Sequence, residues 1–538
     1  MSSEAVMEPL CARGHARKLG HLENYFALAQ RQDLYTNFGL FCELDRSFSP
    51  RQLAAALRSL CLEHPLLLHT VVEKTGSQSA KELDQADGHL PTGPSNFYQT
   101  DEYLSQTWPD HDYIRVLEQV CLQDVLLNGQ AEYADVVAQV LAEFARNGGN
   151  YSSTVFEPLS HVRIPYSHVS RPNWRVLLFP DGADAGASRH FLFMANHCCS
   201  DGTSAANFVH DVRARLRAED NTDLGPGVGN NPVLFRYSRD HAQLPRLPAP
   251  IETNVDYVTP KSYFARMVAN QLLREYVGYK SAGPPIQRVS QPHGNQFYSY
   301  FLKLSPQQTQ HVKARLKHRL HSKCTLTPFM QACWFAALHK SHKVFTHSFS
   351  QQLTNIVVAM NTAKLVPHDD AKLVRDYRYG CNVGGSHYNY SISSFDVADD
   401  PPALCRLVEY YRDVFQEAQR KRHYLYPLGA LMQDSLYESR NVDRAIVSGI
   451  LGKPRLGTML SNLGYFPQAS DQHQYQYQIR DLIFAQTTGS FRYTFDINCC
   501  ATDVGGLNLV LCIAEGAVAC REDWNQVCEL FKSIMLEF

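Results

Sequence analysis

The stretch that decides the fold runs from His190 to Val212, HFLFMANHCCSDGTSAANFVHDV. Its first eight residues are short, apolar and bounded by a polar turn, which reads as a strand. Alternate strand residues share a face, so Phe191, Phe193, Ala195 and His197 are expected to point the same way. The alternation stops at Cys198-Cys199-Ser200-Asp201-Gly202. Beyond it the apolar spacing becomes helical, with Ala205, Phe208, Val209, Val212 and Leu216 on one stripe. A strand that hands over to a helix is an α/β unit, and its junction is a place where scaffolds display reactive groups. The junction carries the only His-x-x-x-Asp in a chain with 23 histidines.

The spacing suits one chemistry in particular. A neutral imidazole has a reference pKa of about 6.5 and can take a hydroxyl proton as the oxygen attacks an acyl thioester, with a gain of roughly 10²–10⁴ in rate. His197 is therefore the candidate general base. Asp201 is expected to hold the turn, through an ion pair or as the cap of the helix that follows. The plainer alternative is a satisfied core histidine followed by an ordinary N-cap. Cys198 and Cys199 read more readily as small buried hydrophobes than as nucleophiles. No third ligand stands at a spacing that makes a metal site.

Upstream, LGHLENYFALAQRQ places Leu22, Tyr25, Phe26 and Leu28 near helical spacing. Ser49 and Pro50 supply the cap and first turn of a helix with Leu53, Leu57 and Leu60 on one face, which ends before Pro65. Residues 75–100 read as a surface loop, and 111–147 carry two helical patterns. WRVLLFP (174–180) is a second strand. The Pro, Gly and Asn content of 220–251 predicts a crossover between lobes. Beyond it, strands are expected at 297–304, 354–360, 479–487, 491–498 and 507–514, helices at 306–320 and 327–341, and a polar loop at 468–478. The C-terminal run EDWNQVCELFKSIMLEF sets Trp524, Val527, Phe531, Ile534, Met535 and Phe538 on one helical side.

Bulk properties set limits. A chain of 538 residues exceeds what one core supports, so at least two lobes are expected. Apolar residues make up 44% and charged residues 19%, an ordinary globular balance. The net charge of -2 shows no basic excess, so nucleic acid is not an expected partner. The 15 scattered cysteines show no paired zinc spacing and read as reduced thiols in an intracellular compartment. No signal-peptide h-region and no membrane-spanning run is evident.

The run FLFMANHCCSDGTSAANFVHDV resembles the HxxxDG region of the fungal alcohol O-acetyltransferases, a family within the group built like chloramphenicol acetyltransferase. The likeness extends over almost the whole chain. It includes GHARKLGHLENYFALAQRQDLYTNF, LRSLCLEHPLLLHTVV, HDYIRVLEQV, IPYSHVSRPNWRVLLFP and the crossover ending LPAPIE. In the second half it includes CTLTPFMQACWFAALHK, YRYGCNVG (377–384) and GTMLSNLG (457–464). The resemblance implies two related α/β lobes with an active-site tunnel between them. The first lobe would span 1–220, the linker 221–255 and the second lobe 256–538.

The resemblance also implies roles. His197 would be the base and Asp201 a structural partner that faces away. Gly202 would be the glycine that lets the chain turn. Ser461 and Asn462 would lie near the acyl centre as oxyanion donors, or else act as turn residues. Asn382 and Gly384 would have backbone roles. Acetyl-CoA would be the co-substrate, with no permanently bound cofactor and no metal. The acceptor would be a small hydrophobic alcohol such as isoamyl alcohol or ethanol. Two readings on the same scaffold are a sterol acceptor and another acyl-CoA-dependent transfer, and a third is a non-catalytic CoA- or lipid-binding protein. A monomer is expected. The family's peripheral contact with endoplasmic reticulum or lipid droplets through terminal amphipathic helices competes here with a simpler reading of the C-terminal helix, packed on its own domain. Two departures stand out: the block after the strand at 354–360 reads VAMNTAKLVP, with Asn361 and Lys364 where relatives often carry Arg, and the DFGWG block of plant relatives has no clean counterpart. No CoA-binding arginine is assigned.

Overall fold

The computed structural model describes residues 3–72, 97–105, 112–160, 162–164, 171–181, 184–217, 231–276, 282–288, 298–320, 324–347, 353–391, 397–432, 441–467, 475–486, 493–514 and 516–538. The expected loop at 75–100 and the polar loop at 468–478 fall mostly outside these residues, as does the first part of the crossover.

Ten strands build two large sheets. In chain order they are β1 (Phe38–Phe48), β2 (Trp174–Asp181), β3 (Asp184–Ala195), β4 (Tyr298–Leu304), β5 (Leu353–Asn361), β6 (Val383–Ser391), β7 (Leu456–Phe466), β8 (Ile479–Gln486), β9 (Tyr493–Thr502) and β10 (Gly506–Ile513). The first sheet has the order β8-β1-β3-β2 and is antiparallel throughout. The second has the order β6-β5-β7-β9-β10-β4, with parallel pairing at β5-β7 and β7-β9. Strand β8 comes from the C-terminal half of the chain yet completes the first sheet, where Phe484 lies opposite Leu40. The two sheets therefore do not divide the chain at the crossover alone.

The pleat sorts the first sheet's apolar residues. Phe191, Phe193 and Ala195 of β3 face a core shared with α1 (His21–Arg31), α2 (Pro50–Glu63) and α4 (Gly202–Arg215). Leu192 and Met194 face a second core with Val137, Val140 and Phe144 of α3 (Ala134–Arg146). Helix α2 starts as its sequence dictates. Ser49 accepts from the Gln52 N–H at the head of α2, and the Gln52 carboxamide returns the bond to the Ser49 N–H.

The second sheet is covered on one face by α5 (Pro306–Arg319), α6 (Leu326–Lys340), α7 (Pro401–Arg420) and α8 (Arg521–Glu537). The apolar side of α8 is spent on this core. Trp524 and Phe531 meet Trp334 with ring centroids 6.1 and 5.4 Å apart, and Phe538 meets Phe329 at 4.9 Å. The C-terminal helix is thus packed on the core of the second sheet. Among the described residues no helix is long and apolar enough to cross a membrane. All 15 cysteines are free.

Some expectations need correction. In the region 111–147 the described residues form two α-helical segments, the single turn Leu122–Val125 and α3. The first part of the region forms short strands, Tyr113–Val116 and Gln119–Cys121. Tyr113–Val116 pairs with both Ala16–Lys18 and His69–Val72, and buries Ile114 and Val116. Pairing on both edges outweighs local helix preference. Within the crossover, Val233–Arg236 is a strand paired with Gln119–Cys121.

Trp524→Ala should lower stability by roughly 3–5 kcal/mol, because a fully buried ring is replaced by a cavity. Denaturant titration would check this, and a loss under 1 kcal/mol would show that α8 is only loosely held.

Candidate active site

Strand β3 ends at Ala195, two residues before the histidine. The Asn196 N–H donates to the Asn173 carbonyl at 3.1 Å, and the Asn196 side chain accepts from the Cys198 N–H at 3.1 Å. This Asx turn breaks the pleat. Cys198 and Cys199 enter the core of Phe191, Phe193 and Ala195. His197 meets Phe38, the cross-strand partner of Ala195.

The imidazole meets three rings. Phe26 of α1 stacks on it, with centroids 4.1 Å apart and planes 13° apart. Phe38, the first residue of β1, lies 5.3 Å away and tilted. Tyr35 approaches edge-on at 5.8 Å. Cys381 places its Sγ 3.8 Å from Nδ1. Burial in this apolar shell pushes the His197 pKa down to about 4, against the pull of a hydrogen bond to its own carbonyl. The ring is neutral at ordinary pH. None of the four neighbours was legible as a site residue in the sequence: Phe26 reads as the core stripe of a helix, and the other three come from segments whose approach to His197 only the fold decides.

Asp201 caps α4. Its Oδ1 accepts from the Ser204 N–H at 2.7 Å and lies 2.9 Å from the Ser204 hydroxyl. Its Oδ2 accepts from the Asn382 N–H at 2.9 Å, across to the second lobe. Burial raises its pKa, and these donors oppose the rise. Among the described residues no Lys or Arg pairs with it, so of the two expected roles the structure shows the cap and not the ion pair.

The segment 377–384 is fastened to α4 by further bonds. Gly380 N–H donates to the Ser204 hydroxyl at 3.1 Å, and the Arg378 carbonyl accepts from Asn207 at 2.6 Å. The Arg378 guanidinium pairs with Asp211 at 2.6 Å, and the Tyr379 hydroxyl donates to the same carboxylate at 2.7 Å. This holds Cys381 against His197. The Asn382 backbone N–H serves Asp201, while its side chain donates to the Tyr377 carbonyl. Gly384 is required by space: a Cβ there would stand 2.6 Å from the Tyr424 carbonyl oxygen. Gly202 is needed for the same reason and not for its backbone angle, since a Cβ would stand 2.7 Å from Leu463 and 3.1 Å from Phe484.

Ser461 and Asn462 part company. Asn462 donates to Thr327 at 3.0 Å and accepts from the Gly464 N–H at 2.8 Å, so both ends of its amide serve the bulge in β7. Ser461 accepts from the Gln486 side chain of β8 at 2.9 Å and faces Asn498 across the β7-β9 pair. Asn498 is fully buried, with neither amide atom bonded among the described residues. Leu463, two residues beyond Ser461, reaches Gly202.

Solved structures share this arrangement of sheets. Trichothecene 15-O-acetyltransferase from Fusarium sporotrichioides superposes with a TM-score of 0.61 at 12% identity, over 97% of this chain and 94% of its own. Polyketide synthase associated protein 5 from Mycobacterium tuberculosis gives 0.51 at 13% identity, over 97% of this chain and 98% of its own. The fold is that of the two-lobed acyltransferases built like chloramphenicol acetyltransferase. Sequence narrows this further. Alcohol O-acetyltransferases 2 and 1 of Saccharomyces cerevisiae are each 33% identical over 99% of this chain, and over 98% and 97% of their own lengths. The profile of the alcohol acetyltransferase family matches residues 18–535, and the chain belongs to that family. Membership carries the reaction class, acetyl transfer to an alcohol.

Asp201→Asn should cost roughly 1–3 kcal/mol, because an amide puts a donor against one of the N–H groups that the carboxylate now satisfies. Soluble yield and thermal unfolding would show it. A well-folded but inactive variant would instead assign Asp201 a chemical role.

Proposed function

We propose that this protein transfers the acetyl group of acetyl-CoA to the hydroxyl of a small hydrophobic alcohol, with His197 as general base. The observation that carries this reading is a neutral imidazole held among apolar rings at the seam of the lobes. Nδ1 has Cys381 Sγ beside it, and Nε2 is the nitrogen assigned to take the proton in this reading. The alcohol gives its proton to Nε2 as its oxygen bonds to the thioester carbonyl carbon. The tetrahedral oxyanion then collapses, the C–S bond breaks, and the CoA sulfur takes the proton from the imidazolium. No covalent enzyme intermediate forms.

Ser461 is the proposed oxyanion donor. Its oxygen already accepts from Gln486, which leaves its own O–H to donate. One such donor is worth roughly 10²–10³ in turnover. The aromatic shell supports an acceptor with an apolar chain. Every proposed catalytic group lies on one chain, consistent with a working monomer, and the free thiols suit a reducing, intracellular setting.

CoA release, read with a thiol reagent, would be compared for wild type and His197→Ala given acetyl-CoA and isoamyl alcohol, ethanol, a sterol or a primary amine. Alcohol-dependent release should fall at least ~10²-fold in the variant while acetyl-CoA binding persists. Retention of activity within tenfold would remove His197 as the base.

The pH profile gives a second check. A base with a pKa of about 4 is unprotonated from pH 8 down to about 5, so kcat/KM should stay flat there and fall only below. A limb near pH 6.5 would mean that the ring is solvated in the working enzyme.

A further inference from the structure

Tyr35 lies in the short segment that follows α1, and its position is fixed by an unusual turn. Asp33 adopts φ 53°, and the N–H groups of Leu34 and Tyr35 both donate to the Ala29 carbonyl, at 2.8 and 3.1 Å. Leu28, Ala29, Leu34 and Tyr35 then pack with Val447 and Ile450 of the second lobe. The ring is held edge-on to His197 by this packing. Its hydroxyl is buried, with the residue 4% exposed, and has no hydrogen-bond partner among the described residues. Leaving a hydroxyl in that condition costs about 1–3 kcal/mol, so its retention calls for a partner that arrives later.

Of the three rings around the imidazole, Tyr35 alone carries a polar atom. It shares the chain segment that supplies Phe26 and Phe38, the apolar wall on which an alcohol's carbon chain would rest. Burial, with the Asp496 carboxylate next in effect, raises the phenol pKa well above its usual value, so the group stays an O–H donor. An alcohol poised for attack gives its proton toward Nε2 and keeps an oxygen lone pair that can accept.

We infer that the Tyr35 hydroxyl donates to the oxygen of the acceptor alcohol and so sets it against His197 Nε2. Tyr35 would thus be a second polar contact to the acceptor, acting in binding as well as in the transition state. The inference rests on the alcohol-acceptor reading above. It divides the labour between lobes: Tyr35 and the aromatic wall take the acceptor, and Ser461 takes the acetyl oxygen.

The test is Tyr35→Phe in the full-length protein, which removes one oxygen and keeps the ring. The KM for isoamyl alcohol should rise about 10-fold, with kcat within about 3-fold and acetyl-CoA affinity unchanged. The melting temperature should stay level or rise, because no internal bond is lost. A binding arm in the His197→Ala background, which does not turn over, uses the thermal shift produced by isoamyl alcohol. The concentration needed for half the shift should also rise about 10-fold in the double variant. That arm reports on Tyr35 even if the reaction reading fails. A fall in kcat with KM unchanged would move Tyr35 to the oxyanion and overturn the inference. So would a lowered melting temperature with normal kinetics, which would mean a structural bond through an ordered water, and so would no change in either arm.

Discussion

The arrangement hangs on a buried carboxylate that pairs with no cation among the described residues. A carboxylate taken out of water must find its hydrogen bonds inside the fold, and every bond that Asp201 finds has a structural consequence. Ser204 N–H begins α4. Asn382 N–H belongs to the second lobe. One side chain therefore starts the helix behind His197 and clasps the segment that carries Cys381. The Arg378–Asp211 pair repeats the clasp nearly three helical turns further along α4. The base is positioned by its neighbours' hydrogen bonds, while its own chemistry is left free.

The shell around His197 works in the opposite sense. Phe26 and Phe38 remove water from the imidazole and offer no polar atom in return, so the charged form is disfavoured. A stray proton from solvent finds a poor host at this ring, which is what the proposed role of His197 requires.

The strand, the turn and the helix around His197 were legible because their periods differ, 2 on one side of the motif and 3.6 on the other. The caps were legible for the same local reason, as at Ser49 and Pro50. Ser461 and Asn462 stand side by side in one block, and only the pleat of β7 reveals that they face different neighbours. Phe26 was hidden for a related cause. A ring on an amphipathic stripe looks the same whether it packs on leucine or on His197. The strands at 113–116 and 119–121 were missed because short segments take their form from partners distant in sequence, here Ala16–Lys18, His69–Val72 and Val233–Arg236.

Strand β8 has a consequence for how the chain is made. It lies between residues 479 and 486 yet pairs with β1, whose last residue is Phe48. During synthesis the first sheet waits for more than four hundred further residues before that edge is covered. Until then β1 presents an open row of N–H and C=O groups beside Leu40, Phe41 and Cys42, the kind of edge that invites pairing with other chains. The nascent protein passes through a long interval in which its N-terminal lobe is nearly built and still adhesive. Folding helpers on the ribosome have their clearest task there, and a chain truncated before residue 479 would keep that edge open for good.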